Sequence, residues 1–246
     1  MSITLSMIKT FYVKETDSTN DYLRRYTPAE DEEMTVVWTD FQLKGRGQGS
    51  NSWESEVGKN LTFSILIHPH DILARDQYII SMAVAVTMHR FLSRELSKEV
   101  YIKWPNDIYV GDFKIGGILI ENRLGGEHIK DCVIGIGLNV NQQVFTSDAP
   151  NPISMCQTEG REWDREEVLS QLLDEFVWQM DHFRADKIRE KYRSRLYRRE
   201  GFYPYRDADG DFEAELVTVE DDGHLVLRDT SGRERRYAFK EVTFLI

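Results

Sequence analysis

The stretch from Ile115 to Val140 restricts the fold more than any other part of the chain. Two runs rich in β-branched residues, Ile115 to Glu121 and Ile129 to Val140, are separated by Gly125-Gly126. A short glycine-bearing connection suits an antiparallel hairpin, whereas a parallel pair needs a long crossover. This argues against a doubly wound nucleotide-binding sheet. Thr35 to Thr39 and Leu61 to Ile67 read as further strands, and Asp76 to Leu96 as a helix.

Beyond the hairpin, Val168, Leu169, Leu172, Leu173, Phe176, Val177 and Met180 recur at helical spacing between Asp164 and about Arg184. Asp164 and Glu167 stand where a variant capping box would start that helix. A second helix is expected from Ala185 to about Arg199. Short strand candidates follow from about Gly201, punctuated by the hairpin signals Asp209-Gly210, Asp222-Gly223 and Ser231-Gly232, and they predict a small β-barrel. Asp207 to Asp211 has its glycine fourth, not sixth, so a turn accounts for it better than a calcium loop.

At 246 residues the chain can hold one large core and a small appended unit. Its 31 basic and 42 acidic residues give a net charge of −11, which disfavours polyanions unless the cations are gathered in one place. Cys132 and Cys156 form no CxxC pair or Cys/His cluster, so no zinc site or disulfide framework is expected, and a reducing, cytoplasmic setting is. No leader pattern opens the chain and no apolar run approaches about 18 residues, so no membrane partner is expected. Ten residues precede Phe11, too few for a helix-turn-helix, and no DNA partner is expected.

Four stretches carry polar chemistry. Gln42 to Trp53 contains Gly45-Arg46-Gly47-Gln48-Gly49. Such a loop can bring backbone N–H groups close to an anion, with Arg46 as a forked cation and Trp53 as a stacking face. A mobile surface loop has the same composition, and the spacing fits neither GxGxxG nor a P-loop. Lys103-Trp104-Pro105-Asn106-Asp107 is followed by Lys114-Ile115-Gly116-Gly117. Glycines inside a strand mark a close approach of a ligand or second chain, or tight packing. Gly135-Ile136-Gly137-Leu138-Asn139 repeats that pattern and ends on an amide able to meet a nucleobase edge. Thr16 to Asn20 forms a helix N-cap cluster with free hydroxyls.

In this order, Ser18-Thr19-Asn20, the GRG of Gly45 to Gly47 with Trp53, KWPND with Lys114 and Gly117, and GxGxN resemble the biotin protein ligase family over roughly residues 10 to 145. The resemblance implies an α+β fold, with a class II synthetase-like mixed/antiparallel sheet, flanking helices and a small C-terminal SH3-like β-barrel. It implies a catalytic biotin- and ATP-binding domain at 1–198 and a β domain at 199–246. Biotin contacts carry over to Ser18, Thr19, Gln42, Gly45, Arg46, Lys114, Gly117 and Gly135. ATP contacts carry over to Trp53 at adenine, Asn139 at the base edge, and Asn106, Asp107 and Lys114 near the phosphates, with a role for Gln48. Arg46, Lys114 and Asp107 are the implied catalytic groups.

The implied substrates are biotin and ATP with Mg2+, without an assigned set of protein ligands for the metal. The implied partner is a biotin carboxyl carrier protein, and a homodimer through a sheet edge is expected by analogy. Gln48 and Asn51 depart from the family's frequent GRGRxGRxW, removing two cations. That departure motivates a rival reading as a biotin sensor without catalysis. A lipoate ligase is a nearer rival, but its Arg-Arg-x-x-Gly-Gly signature is absent.

Overall fold

The computed structural model describes residues 8–29, 32–49, 51–146 and 151–246. The start of the chain and Ser50 of the glycine-rich stretch lie outside the described residues. β1 (Ile8–Thr16) runs parallel to β2 (Met34–Gln42), with α1 (Thr19–Arg25) between them in the chain. β3 (Leu61–Ile67), β4 (Val100–Lys103), β5 (Asp107–Val110), β6 (Phe113–Gly125) and β7 (His128–Leu138) complete a seven-stranded sheet in the order β1-β2-β3-β7-β6-β5-β4. Every pairing after the first is antiparallel. The expected hairpin is β6–β7, and Gly126 at its turn has φ +68, a left-handed conformation that glycine adopts without steric cost.

Side chains alternate between the two faces of this sheet, as the period of two requires. Val36, Ile65 and Ile134 join the main core, while their neighbours Val37, Leu66 and Val133 pack under Leu23 of α1. The main core is covered by α2 (Tyr78–Glu95), which is backed by α4 (Arg165–Asp181) and α5 (Ala185–Ser194). α2 buries Ile79, Ile80, Met82, Val84, Val86, Met88, Phe91 and Leu92, because it has the sheet on one side and helices on the other. Each large apolar side chain buried there contributes about 1.5–3 kcal/mol. Glu175 of α4 pairs with Arg90 and Arg94 of α2 across the helix seam.

Local signals place the helix starts. Asp164 caps α4, accepting from the N–H groups of Glu166 and Glu167 at 2.8 and 3.2 Å. The short helix α3 (Met155–Glu159) is held by a reciprocal capping box between Ser154 and Gln157. Ser18 occupies the N-cap position of α1 but makes no capping hydrogen bond. α5 stops at Ser194, short of the Arg199 expected from sequence. The chain leaves the helix there to pair with the edge of the sheet. Ile102 N–H donates to Arg195 O and Tyr197 N–H to Ile102 O, both at 2.8 Å, so β4 satisfies backbone groups that another helical turn would have used.

The C-terminal strands form a second, five-stranded antiparallel sheet. β8 (Phe202–Asp207), β9 (Gly210–Val219), β10 (Leu225–Asp229), β11 (Glu234–Tyr237) and β12 (Thr243–Phe244) are ordered β11-β10-β9-β8-β12. Gly210, Gly223 and Gly232 take positive φ at the three expected turns. The Asp207–Gly210 pair closes a hairpin. Gly223 also docks this sheet on the body: its carbonyl accepts from Trp104 Nε1 at 2.8 Å, and a side chain on it would overlap the Tyr78 ring. Among the described residues no helix is long and apolar enough to cross a membrane.

His89 on α2 provides a pH test of this packing. Burial, with Arg195 adding repulsion, pushes its pKa down to about 4, against about 6.5 in an unfolded chain. The unfolded state therefore binds a proton that the folded state refuses between those values, and stability falls as pH drops from about 6.5 to about 4. The loss should reach up to about 2–3 kcal/mol. Urea unfolding across this range should show the slope in the wild type and a flatter profile in His89→Gln; parallel profiles would contradict the assignment.

Candidate functional site

The face of the sheet opposite α2 carries a row of small side chains. Thr39 pairs with Thr62, Thr62 with Gly137, Gly137 with Gly117, and Gly117 with Asp107. The adjacent row runs Val37, Ser64, Gly135 and Leu119. Where side chains are absent the backbone itself becomes a floor. Over it lies a cleft of about 670 Å³, bordered by the glycine-rich loop, the start of α1, the 103–107 segment and the C-terminal residues from Phe239 onward.

Trp53 and Asn20 stand directly on the glycines. A methyl group at Gly137 would overlap the Trp53 indole, and one at Gly117 would lie 3.2 Å from it. A methyl at Gly135 would overlap the Asn20 amide. Gly135 thus makes room for a side chain of this same chain. Gly45 is also tight: its backbone carbonyl accepts from Trp53 N–H at 3.0 Å, and a methyl there would come within 2.5 Å of Trp53 O.

One wall of the cleft is a continuous polar chain. Gln42 Oε1 accepts from Thr19 N–H at 2.8 Å and from Thr19 Oγ1 at 3.0 Å. The Ser64 hydroxyl lies 2.7 Å from Thr19 Oγ1 and 2.6 Å from Asn20 Oδ1. Asn20 Nδ2 donates to Glu121 Oε2 at 2.8 Å. Arg46 donates to Glu121 and to Asp21, each at 2.9 Å. Ser18, Thr19 and Asn20 are buried, so this network is sheltered from water and orients its members.

On the other side, Lys114 Nζ lies 2.6 Å from Asp107 Oδ1 and 5.8 Å from the Trp53 ring centroid. Asn106 turns inward, donating from Nδ2 to Ile118 O at 2.8 Å, so it braces β6. Asn139 is buried and is not among the residues lining the cleft. Its Nδ2 donates to Ile153 O at 3.0 Å and its carbonyl accepts from Met155 N–H. The structure thus gathers Ser18, Thr19, Gln42, Arg46, Gln48, Trp53, Asn106, Asp107, Lys114, Gly117 and Gly135 around one cleft, and sets Gly45 and Asn139 just behind its lining.

The lining side chains include the cations Arg46, Lys103, Lys114 and Lys240 and the carboxylate of Asp107, with Asp21 and Glu121 behind Arg46. In a chain of net charge −11, that concentration favours an anionic ligand. Arg46 Nε, Gln48 Oε1 and Trp53 Nε1 are buried without a hydrogen-bond partner. Buried polar atoms of this kind are costly unless something satisfies them. Among the described residues the one cluster of possible metal ligands is Glu220, Asp222 and His224. Arg236 donates to both of its carboxylates at 2.5 Å, and none of the three lines the cleft.

Sequence reasoning assigned no role to Asp21, Ser64, Lys103, Glu121 or Lys240. A serine within the otherwise apolar Leu61–Ile67 run was the available signal for Ser64, and an acidic residue ending a glycine-thinned strand was the signal for Glu121. Nothing local marks Lys240.

The fold and cleft define an α+β protein whose bared sheet, amide-rich wall and four cations are chemically suited to a ligand part polar and part anionic. The chain belongs to the biotin/lipoate A/B protein ligase family, which it matches over residues 12–139. It is 29% identical over 228 residues to the bifunctional ligase/repressor BirA of Bacillus subtilis, covering 84% of this chain and 65% of that one. The chain thus spans just under two thirds of that relative's length. It is 27% identical over 227 residues to the biotin–[acetyl-CoA-carboxylase] ligase of Paracoccus denitrificans, covering 89% and 94%. Its fold is similar to the biotin protein ligase of Aquifex aeolicus solved in complex with biotin and ATP, with a TM-score of 0.77, 23% identity, and coverage of 96% and 97%.

The contact between Trp53 and the glycine floor is open to test. Gly137→Ala should expel the indole, shifting the Trp53 emission to the red relative to a Trp53→Phe control. It should also cost about 1–3 kcal/mol, as overpacking does. An unchanged emission spectrum would refute the contact.

Proposed function

We propose that this protein is a biotin protein ligase, which activates biotin with ATP to biotinyl-5'-AMP and transfers the biotin to one lysine of a biotin carboxyl carrier protein. The observation that carries the reading is the gathering of Arg46 and the Asp107–Lys114 pair around one glycine floor, beside the Thr19–Gln42 wall. The resemblance of the motifs and the names of the relatives support it. In this reading the fold is a class II synthetase-like catalytic domain at 1–198 with an SH3-like barrel at 199–246. The left-handed Arg198 and Gly201 at the junction are in keeping with that boundary.

In the first step a biotin carboxylate oxygen bonds to the α-phosphorus of ATP, and the α–β phosphoanhydride bond breaks to release pyrophosphate. Two anions meet, so cations must neutralise their repulsion. Arg46 bridges carboxylate and phosphate with its fork, and Lys114 places a compact charge on the α-phosphate. Ser18, Thr19, Gln42 and the backbone around Gly45, Gly117 and Gly135 hold biotin. Trp53, Asn106 and Gln48 serve the nucleotide side, and Asn139 braces the backbone behind it. In the second step the carrier lysine attacks the acyl carbon of the mixed anhydride, the C–O bond to AMP breaks, and the amine loses its proton with Asp107 orienting or accepting it.

Magnesium enters as the counter-ion of ATP and is part of that substrate. The cleft offers it at most Asp107, which already holds Lys114, so the phosphates and water supply most of its ligands. The reading places the enzyme in the cytoplasm, in keeping with two free, buried cysteines, and gives it neither DNA nor a membrane as partner. A homodimer formed along the β1 edge belongs to the same reading; sedimentation showing only monomer at high concentration with both substrates would remove it.

The deciding assay offers biotin or lipoate with ATP, magnesium and a biotin carrier domain, and follows pyrophosphate and the labelled lysine. Biotin-specific labelling is the expected result, and silence in both readouts would favour a sensor. Lys114→Ala should slow adenylation by about 10²–10³-fold, the usual loss for one preorganised charge donor. Near wild-type pyrophosphate release in that variant would sink its role.

A further inference from the structure

The four cations of the cleft divide by partner. Arg46 is held by Asp21 and Glu121, and Lys114 by Asp107. Among the described residues Lys103 and Lys240 face the cleft with no ion pair. Lys103 is enclosed by aromatic rings, its Nζ 5.2 Å from the centroid of Tyr109 and 4.7 Å from that of Phe244. Burial lowers its pKa, so an arriving anion would favour its charged form.

Lys240 comes from the other sheet, on the turn between β11 and β12. The neighbouring carboxylate is turned away from it: Glu241 Oε2 accepts from Ala238 N–H at 2.7 Å. Lys240 itself has φ +72, a left-handed conformation uncommon for a lysine. The result, among the described residues, is an ammonium without an ion pair beside Gly49 of the glycine-rich loop. A methyl group at Gly49 would lie 2.5 Å from Lys240 Nζ, and the residue before it, Gln48, presents an unpartnered amide oxygen. The loop's one arginine, Arg46, is already engaged by two carboxylates.

We infer that Lys240 supplies, from the C-terminal sheet, the cation that holds the diphosphate end of a nucleoside triphosphate over the glycine-rich loop. Lys103 lines the same cleft, beside Phe244 of that sheet. The C-terminal sheet is then a working part of the nucleotide site. The inference rests on the ATP-dependent reading above, and its ligand class is a triphosphate as against a monophosphate nucleotide.

The test uses the full chain as wild type, Lys240→Gln, and Lys240→Gln combined with Gln48→Arg. Lys240 is exposed, so the variants should keep the wild-type urea midpoint. Calorimetry should find ATP binding weakened about tenfold in Lys240→Gln with AMP binding unchanged, the scale expected for one charge-assisted contact near solvent. Biotin-dependent ATP–pyrophosphate exchange should show KM for ATP raised by a similar factor and KM for biotin unmoved. Gln48→Arg in the double variant should restore most of the loss by returning a cation to the same place. Unchanged ATP affinity, equal weakening of ATP and AMP, or failure of the arginine to rescue would each overturn the inference. Absence of exchange in the wild type would overturn the ligase reading alone, because the ATP-against-AMP comparison needs no turnover.

Discussion

The site depends on register. Thr39, Thr62, Gly137, Gly117 and Asp107 lie in one row because β2, β3, β7, β6 and β5 are paired in one alignment. A slip of one residue would carry Phe63, Ile136 and Ile118 onto the cleft face and close it. The alignment is fixed from behind, where those same residues are buried in the core with α2. Apolar packing on one face of the sheet thereby sets the vacancy of side chains on the other. The glycines would give no cleft without the isoleucines that alternate with them.

The charges follow a similar division of labour. Asp21 and Glu121 hold the Arg46 guanidinium in a fixed place, and Asp107 does so for Lys114. Groups fixed before the ligand arrives need little reorganisation when it does. Partly exposed pairs of this kind contribute little to stability, so their value lies in position. The polar wall from Gln42 through Ser64 to Glu121 extends the same order to uncharged groups, linking a helix and three strands.

Much of the fold was legible in the sequence. The Ile115–Val140 hairpin, the β3 run and the capped helix after Asp164 all follow from period, turn glycines and a short acidic cap. The end of α5 was not, because the residues after Ser194 keep a helical composition and are drawn away by the backbone of β4, a partner nearly a hundred positions earlier in the chain. The candidate site was legible as four motifs, since glycine, tryptophan and paired polar residues stand out locally. What lay beyond reach was how they satisfy one another. That Asn139 and Asn106 bond to backbone carbonyls, that Asn20 fills the space above Gly135, and that Lys240 meets Gly49 depend on long-range closure of the two sheets, for which no local spacing exists.

The strap formed by residues 195–197 along β4 bears on how copies of this chain can associate. A sheet with two open edges can accept a copy at each end, and repeated addition yields a fibre. Here one edge is already bonded to the chain's own backbone, at Arg195 and Tyr197. In the seven-stranded sheet, among the described residues, strand addition is then left to the β1 edge. Two copies joined β1 to β1 are related by a two-fold axis, and that union uses up this edge of both. In the proposed dimer, association of the seven-stranded sheets along β1 would therefore terminate at two, with Lys9, Lys14 and Glu15 on that strand setting which alignments of charge the pair accepts.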